Sequence, residues 1–203
     1  MPKFIGTTEP NTSIVIKLDE ISIDRLVSDS LGNFEFTSPT ELDEGNYVFS
    51  VDAADESGAT GTTKLTITVD KTTVSPTFEL SAEDKAPAGN NLTAKLTPTI
   101  KGMAEKDAMV EIYIGSKLLA TVSVNNSGEW EYRFKNSELT EGNNTIRLVA
   151  IDKADNRATN TGVIDVDSIP PEKPTITLES DSNSGLKNDN LTQVKQPTFY
   201  SRR

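Results

Sequence analysis

The chain repeats itself. Residues 2–34 superimpose without a gap on residues 98–130, at a constant offset of 98 − 2 = 96 residues. Gly6 falls on Gly102, Glu9 on Glu105, and Gly32 and Phe34 on Gly128 and Trp130. After one inserted residue, Leu42, Glu44, Gly45 and Asn46 fall on Leu139, Glu141, Gly142 and Asn143. An internal repeat constrains architecture more than any local signal, because each unit must reach the same fold and bury the same positions. In 203 residues the repeat leaves two units of ordinary domain size and a remnant. The chain therefore reads as repeat 1 over 1–74, lacking its first strand; repeat 2 over 75–171; and 172–203 as a linker with the first strand of a truncated third repeat.

Inside each unit the apolar residues alternate. Ile14, Ile16 and Leu18 form one row, Phe34 and Phe36 a second, Phe49, Val51 and Ala53 a third, and Leu65, Ile67 and Val69 a fourth. Repeat 2 answers with Val110, Ile112 and Ile114; Trp130, Tyr132 and Phe134; Ile146, Leu148 and Ala150; and Ile164 and Val166. A period of two marks half-buried strands, and no stretch sustains a helical period. Short alternating runs with polar, glycine-containing turns between them describe an all-β chain of tandem sandwiches of about seven strands each. Trp130 opens an alternating aromatic row and has Phe34 as its counterpart, which favours a core position over an exposed sugar-stacking platform.

Charge and inventory narrow the function. The formal net charge is −11, from 31 acidic and 20 basic residues, the opposite of a nucleic-acid or anionic-membrane footprint. There is no His and no Cys, which removes the usual general base, the thiol nucleophile, the common zinc ligands and any disulfide framework. No apolar run approaches the ~18 residues of a membrane-spanning helix, and the opening MPKFIG has no signal-peptide core, so an export signal is expected elsewhere. No glycine-rich phosphate loop leads a strand into a helix. The expectation is a non-enzyme with no nucleic-acid partner and no direct membrane insertion.

The acidic residues gather where the repeats join. Pro170, Pro171 and Pro174 make a stiff exit from a sheet, since proline fixes φ and removes the amide donor. Beyond them Asp181, Ser182, Asn183, Asp189 and Asn190 crowd side-chain oxygens around Gly185, the chemistry of a hard cation such as Ca2+. Asn91, Leu92 and Thr93 echo Asn190, Leu191 and Thr192 one repeat earlier. Such loops also serve as solvated turns whose Asp and Asn side chains cap local backbone, and that reading stands beside the metal. The Asn-X-Thr or Asn-X-Ser triplets at Asn11, Asn91, Asn143 and Asn190 are read as turns.

The order PTIKGMAE, VEIYIGSKLLATVSVNNSGEWEY, LTEGNNTIRLVAIDKADN, VIDVDSIPPEKPTITLESDSNSG and NDNLT resembles the bacterial immunoglobulin-like repeats of giant, repetitive Gram-negative surface adhesins. The resemblance implies tandem immunoglobulin-like sandwiches joined by short proline-containing linkers. It also implies an extracellular stalk that reaches the cell surface by type I secretion, with Ca2+ stiffening the joints. Carried over residue by residue, it nominates Asp152, Asp155, Asp167, Asp181, Asp189 and Asn190 as Ca2+ ligands at the second junction, with Asp155 standing where Gly is usual. The first junction departs from the pattern: Asp55, Gly58 and Asp70 are present, Ala59 replaces Asn, and the neighbouring loop offers Asp84 and Asn90. These make a weaker second nomination.

Two binding roles follow. In the first, the chain is a passive spacer whose partners are the neighbouring repeats, and its receptor lies on another part of the protein. In the second, the sandwich recognises carbohydrate or protein through its loops, which requires an exposed aromatic or apolar patch unique to one repeat. Trp130, Tyr132 and Phe134 fall on an inward row, so the spacer is preferred. The tail from Thr175 to Phe199 carries a first strand and no sandwich of its own. It would either fray or complete repeat 1 of another molecule, giving head-to-tail self-association.

Overall fold

A computed structural model describes residues 1–87, 91–184, 186 and 191–202, with side chains described up to residue 199. Six strands come from the first unit: β1 (Lys3–Thr7), β2 (Ser13–Leu18), β3 (Ile21–Val27), β4 (Asn33–Thr37), β5 (Gly45–Ala54) and β6 (Thr60–Val69). They form a two-stranded sheet, β1-β4, facing a four-stranded sheet, β3-β2-β5-β6. Every pair is antiparallel, and the consecutive neighbours β2-β3 and β5-β6 are joined as hairpins.

The second unit contributes β7 (Glu79–Leu80), β8 (Leu92–Thr93), β9 (Thr99–Met103), β10 (Met109–Ile114), β11 (Lys117–Ser123), β12 (Glu129–Arg133), β13 (Gly142–Ile151) and β14 (Arg157–Val166). Its sheets are β12-β9-β7 and β11-β10-β13-β14-β8, the last pairing parallel. The repeat in sequence is thus a repeat in register. Gly6 faces Phe34 across β1 and β4 as Gly102 faces Trp130 across β9 and β12. Even the register shift recurs, at Ile16/Lys17 in β2 and at Ile112/Tyr113 in β10. The expected seven strands become six in one unit and eight in the other among the described residues, because β7 and β8 have no counterpart ahead of β1. No α-helix occurs among the described residues.

Each unit buries its own apolar cluster. Repeat 2 centres on Ile100, Val110, Ile112, Trp130, Phe134, Ile146, Leu148 and Ile164; repeat 1 holds Ile14, Ile16, Phe36, Leu42 and Phe49. The whole Trp130, Tyr132 and Phe134 row is buried, so Trp130 is core and not a platform. At the matching place repeat 1 has Ser38, whose Oγ donates to the Thr40 carbonyl, where repeat 2 has Phe134. Its fourth row also departs from expectation: Leu65 is 53% exposed. In repeat 2 the Phe78 ring lies against Gly162, the position equivalent to Leu65, and the Thr77 backbone occupies the space a side chain at residue 102 would need.

The tail forms β15 (Thr175–Leu178), a 3-10 turn at Ser180–Ser182, and β16 (Phe199–Arg202). β15 pairs with β16 so that Leu178 faces Phe199 and Thr177 faces Tyr200. This is the register of β7 with β9, where Leu80 faces Ile100 and Glu79 faces Lys101. Within this loop Ser182 Oγ accepts the Thr198 amide at 2.9 Å, as Asp84 Oδ2 accepts the Thr99 amide at 2.7 Å one repeat earlier.

Candidate metal centre

The nominated carboxylates must be placed by the hairpin that carries them. Asp152 follows β13 and precedes β14, while Asp167 follows β14. A ten-residue strand lies between them and spans about 33 Å at the usual rise. They therefore sit at opposite ends of the sandwich, and the expected second-junction set of Asp152, Asp155 and Asp167 is divided. The same holds for Asp55 and Asp70 at the two ends of β6. Asp152 instead joins Asp70, the residue that closes β6 of repeat 1, at the first junction.

Three carboxylates meet there: Asp70, Glu105 and Asp152 each bring an oxygen within 4.8 Å of the others. Asp70 comes from repeat 1, and Glu105 and Asp152 come from two loops at one end of repeat 2. Asn156 ties them together. Its Nδ2 donates to the Asp70 carbonyl at 3.1 Å, to Asp70 Oδ1 at 3.4 Å and to Asp152 Oδ2 at 2.8 Å. Asp152 Oδ1 accepts the amides of Ala154 and Asn156 at 2.8 and 2.9 Å, so the loop folds around this carboxylate. Asp152 is 8% exposed. Burial alone would raise its carboxyl, but the Asn156 side chain and the loop amides hold it below the ordinary carboxylate value. Glu105 accepts Thr73 Oγ1 at 2.9 Å, a further bond from the connecting segment. Nearby, Asn160 Nδ2 donates to the Pro76 carbonyl at 2.8 Å, which holds the proline segment against β14.

The other nominated residues take different places. Asp155 occupies a left-handed conformation (φ 67°) at the position where repeat 1 has Gly58 (φ 85°), and its side chain points to solvent beside Arg157. That backbone demand explains why Gly is usual there and leaves Asp155 outside the carboxylate group. Asp55 repeats the Asp152 loop, accepting the Ala59 amide at 2.9 Å, but Ala59 offers no amide side chain to bridge with. Asp84 is turned inward and committed to Lys95, Ser81 and the Thr99 amide, so it is a structural bracket. Asp167 and Asp181 are exposed and belong to no carboxylate group among the described residues. Asn90, Asp189 and Asn190 lie outside the described residues.

Glu105 was not nominated from sequence. Its signal was present in the Glu9–Glu105 match, which marks a residue held at the same loop of both units. What sequence lacked was the end of the sandwich to which that loop belongs.

Comparison with known proteins agrees with this architecture. The bacterial Ig-like domain family matches twice, over residues 1–71 and 72–168. No curated protein sequence matched the chain. Among solved structures, the fibronectin(III)-like modules of Clostridium thermocellum CbhA align over 81% of this chain and 85% of theirs, with 15% identity and a TM-score of 0.43. A tetra-tandem repeat from the extending region of a large adhesion protein aligns over 89% of this chain and 49% of its own length, with 18% identity and a TM-score of 0.41. A Ca2+-stabilized, ice-binding adhesin of an Antarctic bacterium aligns over 88% of this chain and 47% of its own length, with 19% identity and a TM-score of 0.42. Two consecutive matches that together span most of the sequence place the chain in the bacterial Ig-like domain family.

Proposed function

We propose that this chain is a non-catalytic spacer segment of a large bacterial surface adhesin, exposed outside the cell, whose joint between repeats is stiffened by Ca2+. The observation that carries the reading is the meeting of carboxylates from both repeats at one joint, Asp70 from the first with Glu105 and Asp152 from the second. Calcium takes six to eight oxygens in flexible geometry, and this donor set is all oxygen. Asp70, Glu105 and Asp152 would hold the ion, with Asn156 fixing the orientation of two of them. Without a cation, three like charges at this spacing repel by roughly 1 kcal/mol per pair in a water-like dielectric. With one, the same charges draw the two sandwiches together, and a hinge becomes a strut.

The test is a thermal melt in calcium, in magnesium and in chelator. Free calcium at ten times its Kd adds about 1.4 kcal/mol if it binds only the folded joint, or a rise of about 5 to 10 °C for a domain of this size. The rise should be specific to calcium and vanish in Asp70→Asn and Glu105→Gln, and it should survive in Asp167→Asn. Coincident melts, with no heat of calcium binding by calorimetry, would sink the calcium joint and leave proline and packing as the sources of stiffness.

A further inference from the structure

The acidic loop before the last strand is built twice, with one side chain changed. In repeat 1 the Asp55 amide donates to the Ala59 carbonyl at 3.1 Å, and Asp55 Oδ1 accepts the Ala59 amide at 2.9 Å. In repeat 2 the Asp152 amide donates to the Asn156 carbonyl at 3.2 Å, and Asp152 Oδ1 accepts the Asn156 amide at 2.9 Å. The left-handed residue falls at the same place, Gly58 in one loop and Asp155 in the other. Alanine therefore suffices for the loop to close, and the carboxamide of Asn156 is free for another task.

That task faces repeat 1. Asn156 Nδ2 stands 2.8 Å from Asp152 Oδ2 and 3.4 Å from Asp70 Oδ1, and donates also to the Asp70 carbonyl at 3.1 Å. Among the described residues no other side chain bonds both carboxylates. The N–H groups put the positive end of a dipole between two negative charges, at distances a little longer than the roughly 2.3–2.6 Å of a Ca2+–oxygen bond. Asp152 Oδ1 is taken by the Ala154 and Asn156 amides, so the Oδ2 that remains is the one the carboxamide holds. A cation that bridges Asp152 Oδ2 and Asp70 must displace those N–H groups, because two positive groups repel in one gap. The displaced group can still serve. Its Oδ1, which meets no donor among the described residues, sits on the same carbon as Nδ2, so a turn about the last side-chain bond exchanges a donor for an oxygen ligand.

We propose that the Asn156 carboxamide is the joint's stand-in for its cation. With the ion absent, Nδ2 latches Asp70 to Asp152 and holds the two repeats docked against the repulsion of their carboxylates. When Ca2+ enters, a second half that rests on the calcium joint proposed above, the amide turns Oδ1 inward and becomes a ligand. The ion then meets carboxylates already brought together and has less to order on binding. Asn156 is thus the positioning residue that sets how far the stiffness of this joint depends on calcium.

The absence of cysteine makes the test direct. Thr66→Cys and Ser116→Cys, at exposed positions in the two repeats, carry spin labels on either side of the joint, and the width of the distance distribution between them reads its stiffness. In chelator the full chain with Asn156 should give a narrow peak. Asn156→Ala and Asn156→Asp should lose it, the aspartate more completely because a further carboxylate joins the other three. Saturating calcium should restore the peak in Asn156→Asp, which still offers an oxygen, and less fully in Asn156→Ala, which offers none. Circular dichroism and Trp130 emission show whether each variant is folded. The NMR signal of the Asn156 carboxamide, identified by its absence from Asn156→Asp, reads the turn: its protons should be protected from exchange in chelator and released in calcium. An amide that merely braced its own loop would keep the same bonds in both. A chelator peak as narrow in Asn156→Ala as in the parent overturns the latch, and so does a parent that is broad there. A carboxamide signal unmoved in a chain that calorimetry shows to bind calcium overturns the turn. If calorimetry finds no calcium bound, the turn falls together with the calcium joint, while the comparison in chelator still decides the latch.

Discussion

Phe134→Ala will lower the melting temperature of repeat 2 and leave that of repeat 1 where it was. Phe134 is 2% exposed and meets Tyr132 edge to face with ring centroids 5.3 Å apart. Truncating a fully buried aromatic costs about 3 to 5 kcal/mol, through lost transfer energy and the cavity left behind. For a domain of this size the fall in Tm is about 15 °C or more. The two apolar clusters share no residue, so the loss stays in one unit. The protein holds the means of separating them: its single tryptophan, Trp130, lies in the repeat 2 core, so its fluorescence follows that unit alone. Calorimetry would follow both. The unaltered chain should melt in two steps, repeat 1 first, because its cluster is smaller and has Ser38 where repeat 2 has Phe134. If the variant shifts both steps together, the sandwiches are one cooperative unit. For a spacer the difference matters, because independent units yield one at a time under load and nearest-neighbour contacts alone pass stability along the array.

The alternation of apolar residues carried most of the fold. The rows through Ile112, Trp130, Ile146 and Ile164 could be assigned to the inside without knowing which sheet each belonged to, because a half-buried strand admits only one face. Leu65 shows where that logic stops. Its row was correctly phased, yet the equivalent Gly162 in repeat 2 is covered by Phe78, which has no counterpart among the described residues of repeat 1, and a pattern within one strand cannot report on a neighbour. The carboxylates show a second limit. Asp152 and Asp167 are near in sequence and nominated together, but a hairpin sends its loop and its last residue to opposite ends of the sheet. Proximity along the chain therefore favoured the wrong grouping. Asp70 and Asp152, 152 − 70 = 82 residues apart, are brought together instead by the stacking of one unit on the next. The exposed position of Asp155 follows from backbone, since its φ of 67° is a demand that sequence registers only as a substitution for Gly.

Asp84→Asn will cost repeat 2 about 2 kcal/mol at neutral pH, and the cost will shrink as the solution is acidified. The side chain of Asp84 is 10% exposed and holds the segment between β7 and β9 in place. Burial pushes its carboxyl up, but Lys95, the Thr99 amide and Ser81 outweigh it and hold the group down at about 2, against an ordinary 3.8. A carboxyl depressed on folding contributes stability that is complete above the unfolded value and is lost as pH falls through the folded one. The contribution is therefore fully present above about pH 5, declines from there, and is gone near pH 1; its full size is about 2 kcal/mol. Asparagine keeps an oxygen for the Thr99 amide but cannot balance the Lys95 charge, and it does not titrate. Urea melts followed by Trp130 at pH 7, 4, 3 and 2 would measure both proteins, and in their difference the other acidic groups cancel. The gap should stay constant from pH 7 to about 5 and narrow steadily below it. The equivalent position in the tail is Ser182, whose hydroxyl accepts the Thr198 amide, so the same bracket is built there without a charge. A gap that holds its size down to pH 2 would mean that the Asp84 carboxylate is no better stabilised folded than unfolded. Its bonds to Thr99 and Ser81 would then act as neutral pairing of the kind Ser182 provides.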